Sequence, residues 1–308
     1  MKPVPEYPQW RPLDCNDKYV LDRYCQRFAP YAEATLATLL VWNDIDATHI
    51  AQLNGNIILR HHSCGGGDVV SMLGNNQAVD TALMLVKSEG EPLRLIPSYS
   101  LGGLGSTSWE DASLQIVPDR DNDDYVFSTV RLAELTGNDL KGKRKRRNGF
   151  VRDYQPEWCT LDLGSASDIS AILRCAELWL CQAEQYQDEP PVEELRGLTH
   201  LLELTARGDL SGMLGFGVRV GGELVAGSIV ETHGSDTVSG VVFKASRSCP
   251  GAAEYLRSSS AAQLVALGYR QINIQQDLGI PGLREMKTGY RPSSMLRKWT
   301  IQPIEGVL

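Results

Sequence analysis

The feature that most constrains the fold is the order of elements between residues 167 and 274. Residues 167–183 place Ile169, Ile172, Leu173, Ala176 and Leu180 on one helical face, and Ser167 can cap that helix. Pro190 and Pro191 open a second helix that runs through Leu204, and Gly208 closes it, the usual asymmetry of helix ends. Residues 213–220 and 223–231 flank Gly221-Gly222 as a hairpin. A third strand over 238–245, a helix over 252–267 and a fourth strand over 271–274 follow. Helices and strands in this order bury their apolar faces only as layers, which makes the chain an α/β (α+β) protein.

The first half has the same style with weaker signals. Residues 17–42 read as helix, with Tyr24, Phe28, Tyr31 and Leu36 apolar and an interruption at Pro30. Asn54-Gly55 before a β-branched run predicts a hairpin, and Gly65, Gly66 and Gly67 a loop. A helix over 77–88 follows, carrying Ala78, Leu83, Leu85 and Val86. Strands over 93–97 and 114–117, a polar turn over 119–124 and an ordered element from Tyr125 complete it. The expected organisation is two tandem units, 1–140 and 161–308, joined by a basic linker over 141–160. The second half resembles an acyltransferase of the GNAT type. That likeness implies, for each unit, a mixed, mostly antiparallel sheet flanked by helices.

Composition narrows the class. Hydrophobic residues make up 42% and charged residues 22% of 308, the balance of an ordinary soluble globular protein. The longest greasy stretch, residues 34–42, is far short of the roughly 20 residues a membrane-spanning helix needs. The N-terminal MKPVPEYPQWRP has no apolar run for a secretory signal, so a cytoplasmic protein is expected. Seven cysteines, Cys64 among them, include no CxxC and read as reduced thiols. His61 and His62 are adjacent and would point to opposite faces of a strand, so no metal is expected.

Against a net charge of −8, six of the thirty Lys and Arg residues crowd into positions 141–147: Lys141, Lys143, Arg144, Lys145, Arg146 and Arg147. Such a run repels itself unless it is well solvated or meets a polyanion, whether nucleic acid, a phosphate-bearing cofactor or an anionic membrane surface.

Three stretches invite chemistry. Leu101-Gly-Gly-Leu-Gly-Ser106 lacks both the dinucleotide spacing and the P-loop ending and reads as a flexible loop. Residues 246–253 lead from a strand into a helix N-terminus, where free N–H groups and the helix dipole favour an anion. The GNAT likeness gives this loop a meaning. Ser248-x-x-Gly251-x-Ala253 has the spacing of a coenzyme A pyrophosphate cradle but lacks its leading Arg or Gln, and an ordinary turn is the alternative. Beyond the fourth strand come Asp277, Arg284, Lys287 and Tyr290. Arg284 and Lys287, three residues apart, share a helix face. The set reads either as an oxyanion-stabilising group or as a surface salt-bridge cluster.

A longer resemblance covers nearly the whole chain, from about residue 20 to 300. Asp124-Tyr-Val-Phe-Ser128, LAELTG at 132–137, Lys143-Arg144 with Phe150, Phe243-Lys244-Ala245 and residues 251–255 carry it. The most specific piece is Gln276-Asp-Leu-Gly-Ile-Pro-Gly-Leu-Arg284 with Lys287 and Tyr290-Arg-Pro292. These are similar to the soluble family named after the C-terminal domain of phosphatidylglycerol lysyltransferase. The resemblance implies two GNAT-like domains and transfer of an amino acid from aminoacyl-tRNA to a hydroxyl or amine of a lipid headgroup, small molecule or peptide, with no bound cofactor. It suggests Lys244, Asp277, Arg284, Lys287 and Tyr290 as catalytic residues, Tyr255, Ser248, Gly251, Asn273 and Gln275 as substrate contacts, and the basic run as the tRNA contact. An acyl-CoA-dependent N-acyltransferase using acetyl-CoA, or a silent module that binds tRNA or an amino acid, are the alternatives. Contact with a membrane would be peripheral at most.

Overall fold

A computed structural model describes residues 2–42, 48–62, 68–103, 105–185 and 192–304. The expected loop at Gly65–Gly67, the helix opening at Pro190-Pro191, Cys64, and Leu104 of the glycine-rich stretch lie outside the described residues. The other six cysteines are free thiols. In chain order the first elements are β1 (Arg11–Pro12), α1 (Lys18–Arg27), α2 (Leu36–Trp42), β2 (His49–Leu53), β3 (Asn56–His62), β4 (Asp68–Leu73), α3 (Ala78–Glu89), β5 (Leu93–Pro97), α4 (Ser106–Asp111) and β6 (Leu114–Pro118). Then come β7 (Asp124–Ser128), α5 (Thr129–Glu134), α6 (Lys141–Tyr154), β8 (Glu157–Leu161), α7 (Ala166–Gln185), α8 (Val192–Ala206), β9 (Met213–Val220), β10 (Glu223–Thr232) and β11 (Thr237–Ala245). The chain ends with α9 (Ala252–Ala266), β12 (Gln271–Asn273), α10 (Pro281–Thr288), β13 (Ser294–Leu296) and β14 (Lys298–Pro303).

Two compact units result, and neither is a continuous half of the chain. One comprises Met1–Tyr125, Gln275–Glu285 and Ser294–Leu308; the other comprises Val126–Ile274 and Met286–Ser293. The first holds an antiparallel sheet in the order β1-β2-β3-β4 and a second in the order β5-β14-β6. Asn54 and Gly55 both have positive φ, as a two-residue hairpin turn requires, and Leu53 pairs with Asn56 across it. Pro30 lacks an N–H and restricts its predecessor, so helix stops at Arg27 and resumes at Leu36. Ile58, Met72, Leu85, Ile96, Trp109 and Ile301 meet in the core.

A buried charge cluster ties this unit together. Lys298 is fully buried, and its Nζ donates to Glu33 Oε1 at 2.6 Å and Asp124 Oδ1 at 2.8 Å. Asp124 also accepts from the Ala32 amide, and Asp123 from the Lys298 amide, each at 2.8 Å. Burial pushes the Glu33 carboxyl up, more than the Lys298 ammonium lowers it, to about 7.

In the second unit the sheet runs β7-β12-β11-β10-β9-β8, with only β11 and β12 parallel. This is the mixed, mostly antiparallel sheet the sequence predicts. Phe216, Val218, Ala226 and Val230 on β9 and β10 pack with Ala252, Leu256 and Leu264 of α9 and Phe150 of α6. Ser167 lies inside α7 rather than capping it: the Ile169 amide donates to Ser165 O at 2.9 Å, so the helix begins earlier.

Residues 141–160, expected as a linker, are α6 and most of β8. Lys and Arg are good helix formers, and Phe150 gives the helix a buried anchor. The basic side chains do not all face solvent. Arg144 donates to the carbonyls of Leu135 and Gly137, and Arg147 to that of Ala133, at the negative end of α5. Arg146 sits 3.5 Å from Glu254, and Lys143 Nζ lies 4.4 Å above the Tyr290 ring. Lys141 and Lys145 remain exposed.

Removing one member of the buried cluster should be costly. Lys298→Met strands two carboxylates and should lose about 3–5 kcal/mol in urea unfolding at pH 7. Glu33 behaves differently. A carboxyl raised from 4.5 to about 7 stabilises the fold when protonated, fully so below 4.5, and that stability is lost as pH rises through 7. Glu33→Gln should flatten that fall when urea midpoints are measured across this window.

Candidate functional site

Strand β11 supplies the site. Its alternate residues face opposite sides of the sheet, so Phe243 turns toward α9 and Lys244 toward α7 and α8. Lys244 is buried there. Its Nζ donates to Glu194 Oε2 of α8 at 2.5 Å and lies 3.6 Å from the centre of the Trp179 ring of α7. A small cavity opens beside it, lined by Ile172, Cys175, Ala176, Leu198, Gly227, Ser228, Ile229, Val242 and Lys244.

One polar atom of this pair, the buried Glu194 Oε1, has no partner among the described residues. Buried groups are normally satisfied, so a spare acceptor beside a cavity suits a polar ligand. Ser228 Oγ is also unpartnered among the described residues, but Ser228 pairs with Phe243 across the sheet and so faces α9. Burial lowers the Lys244 ammonium against the pull of Glu194, and raises the Glu194 carboxyl against the pull of Lys244. Burial likewise pushes the Cys175 thiol up to about 11, which leaves it an inert packing group.

The 246–253 loop precedes α9, but its amides turn inward. Arg247 N donates to Gln182 Oε1 at 2.8 Å, Ser248 N to Ser246 Oγ, Cys249 N to Ser246 O and Ala252 N to Cys249 O. Gln182 Nε2 in turn holds the Ser246 and Ser248 hydroxyls. Gly251 has a φ of +95°, and a Cβ there would stand 2.4 Å from Arg146 O. Glycine is needed for close packing against α6, and four amides of the loop, those of Arg247, Ser248, Cys249 and Ala252, are already engaged.

Asp277 belongs to the first unit and is fully buried. Arg284 clamps it with Nε at 3.0 Å and Nη2 at 2.9 Å, Tyr125 donates its hydroxyl at 2.5 Å, and Gly279 its amide at 2.9 Å. Arg120 adds a contact at 3.4 Å, and Arg284 also reaches Asp121 at 2.6 Å. Burial alone would raise the Asp277 carboxyl, but the donors from Arg284, Tyr125 and Gly279 hold it at about 2. With both oxygens saturated, it holds the turn after residue 275 in place and is poorly suited to act as a base.

The remaining predicted residues are spread out. Lys287 Nζ donates to Ile274 O at 2.7 Å, just beyond β12. It shares α10 with Arg284 but lies in the other compact unit. Tyr290 is buried in the second unit on the Phe243 side of β11, away from Lys244. Tyr255 packs 5.7 Å from Phe150 in the core, Asn273 is buried in β12, and Gln275 donates to Thr38 Oγ1 in the first unit. Sequence reasoning missed Glu194 and Trp179. A charge on the buried face of an amphipathic helix was the available signal for Glu194.

Comparison with known proteins adds to this geometry. No curated protein sequence matches the chain. A conserved protein of unknown function from Bacteroides thetaiotaomicron is 21% identical with a TM-score of 0.80, over 96% of this chain and 99% of that one. The C-terminal domain of a putative lysylphosphatidylglycerol synthetase from Agrobacterium fabrum is 14% identical with a TM-score of 0.62, over 94% and 92%. FemX is 6% identical with a TM-score of 0.54, over 95% and 96%. At these identities the likeness establishes the fold, which is GNAT-like. The family described as phosphatidylglycerol lysyltransferase, C-terminal, matches residues 26–302, almost the full length. Its reach across both compact units, and through the segments that cross between them in sequence, leads to one conclusion: the chain belongs to the phosphatidylglycerol lysyltransferase C-terminal family.

Proposed function

We propose that this transferase moves an amino acid from aminoacyl-tRNA to a hydroxyl or amine of a lipid headgroup, small molecule or peptide. The observation that carries the reading is the buried Lys244–Glu194 pair beside a cavity, with an acceptor oxygen to spare. Family membership supports transferase chemistry. Four amides of the 246–253 loop are engaged within the protein, which leaves fewer donors for the pyrophosphate of coenzyme A. Exposed Lys141 and Lys145 on α6 supply charge for a polynucleotide backbone. Among the described residues no helix is long and apolar enough to cross a membrane.

The donor ester is already activated, so positioning and charge stabilisation suffice. The acceptor nitrogen or oxygen attacks the ester carbonyl carbon. The Lys244 ammonium stabilises the oxyanion that forms. Glu194, raised by burial, takes the acceptor's proton on its free oxygen and returns it to the departing ribose oxygen. The new bond to the acyl carbon replaces the broken ester bond, and charge balances. Trp179 orients the acyl group.

Purified protein given labelled aminoacyl-tRNA and candidate acceptors should transfer the label. Lys244→Met should lower kcat about 100- to 1,000-fold while circular dichroism stays native. Saturable acetyl-CoA binding without tRNA binding would show a CoA-dependent enzyme instead. Binding of tRNA without any transfer would show a silent module. Replacing Lys141 and Lys145 together with Gln should reduce the slope of log affinity against log salt by about 2, one phosphate contact for each.

A further inference from the structure

The other face of β11 carries a second unusual cation. Arg257, on α9, is 8% exposed. Its guanidinium carbon lies 4.4 Å from the centre of the Phe243 ring and 4.7 Å from that of Tyr290. Nη2 reaches the sulfur of Met286 at 3.9 Å, the guanidinium also serves the Tyr290 hydroxyl, and Nε has no partner among the described residues. Among the described residues no carboxylate lies within salt-bridge distance. One turn further along α9, Ser260 is 7% exposed and its hydroxyl is also unpartnered.

Ring contacts stabilise the charge through the π faces but leave the in-plane N–H of Nε unserved. A buried guanidinium with no acid beside it is costly, and its planar edge matches an oxyanion. Lys143 Nζ, 4.4 Å above the Tyr290 ring and half-exposed on α6, brings a second cation to the same place. Arg146 adds a third, and Glu254, 3.5 Å from it, is the acid on this side. The balance stays positive. Guanidinium, ammonium, phenol and hydroxyl together offer more donors than one carboxylate can accept, and suit the several oxygens of a phosphate.

We infer that Arg257, with Lys143, Tyr290 and Ser260, forms a phosphate-binding site on the α9 side of β11, separate from the Lys244 cavity and independent of the proposed aminoacyl transfer. The phosphate is free, or is the diester of a lipid headgroup or of a polynucleotide.

Calorimetric titration at low ionic strength with inorganic phosphate, glycerophosphoglycerol and a single-stranded RNA trinucleotide tests this. At least one probe should bind saturably to the native protein, and the tightest identifies the source. Arg257→Gln should weaken that binding at least tenfold, Ser260→Ala measurably, and Lys87→Gln, an exposed cation of α3, less than twofold. Acetate should bind at least tenfold more weakly than the best probe. Should Arg257→Gln melt early, Arg257→Lys keeps the charge but removes the Nε–H, and should still cost at least fivefold. Failure of all three probes overturns the site. So does undiminished binding by a folded Arg257 variant, or an equal loss from Lys87→Gln, which would mark surface attraction only.

Discussion

The second unit depends on one constraint: β11 is covered on both sides, so its alternating residues must all be accommodated in buried surroundings. Lys244 is buried beside a cavity and is held by a carboxylate from α8 and an indole from α7. Its neighbour Phe243 points the other way and receives the plane of Arg257. Two adjacent residues thus generate two chemically different environments. A one-residue slip of register would exchange them and strand both charges.

The same economy governs the basic run. A helix bearing six cations in seven positions would be self-repulsive in isolation. It is tolerated because Arg144 and Arg147 satisfy the carbonyls at the end of α5, Arg146 meets Glu254, and Lys143 lies on an aromatic ring. Lys141 and Lys145 stay exposed. The question such a run poses therefore has a structural answer for most of its residues.

In the first unit, Lys298 plays the part that Lys244 plays in the second. It draws together Glu33 and Asp124, which lie 265 and 174 residues away. Asp277, in the same unit, is a carboxylate used as a hub: four side-chain and backbone groups donate to it, and it fixes a turn whose Leu278 has positive φ. Lys298 is spent on two protein carboxylates and Asp277 on four donors, although Glu33 Oε2 is left without a partner among the described residues. In the Arg257 environment it is the cation itself that keeps an N–H in reserve.

The sequence by itself determined what short-range physics controls. The Asn54-Gly55 and Gly221-Gly222 hairpins, the apolar stripe of α7 and the strand-loop-helix run from β11 to α9 follow from turn geometry and periodicity. The long stretch from Gln276 to Pro292 also carried the family resemblance. Its four charged or phenolic residues, read as one converging group, were legible as a set but not in their placement: Asp277 and Arg284 pair in one unit, while Lys287 and Tyr290 serve the other. Only tertiary structure decided which charges are buried. In α9, Glu254, Arg257, Ala261 and Leu264 share the spacing of a buried face, so two charges sat at core positions in plain view. Their meaning rested on groups far away in sequence, Phe243, Tyr290 and Arg146, because desolvation and its compensation are properties of a three-dimensional neighbourhood, which local periodicity does not encode.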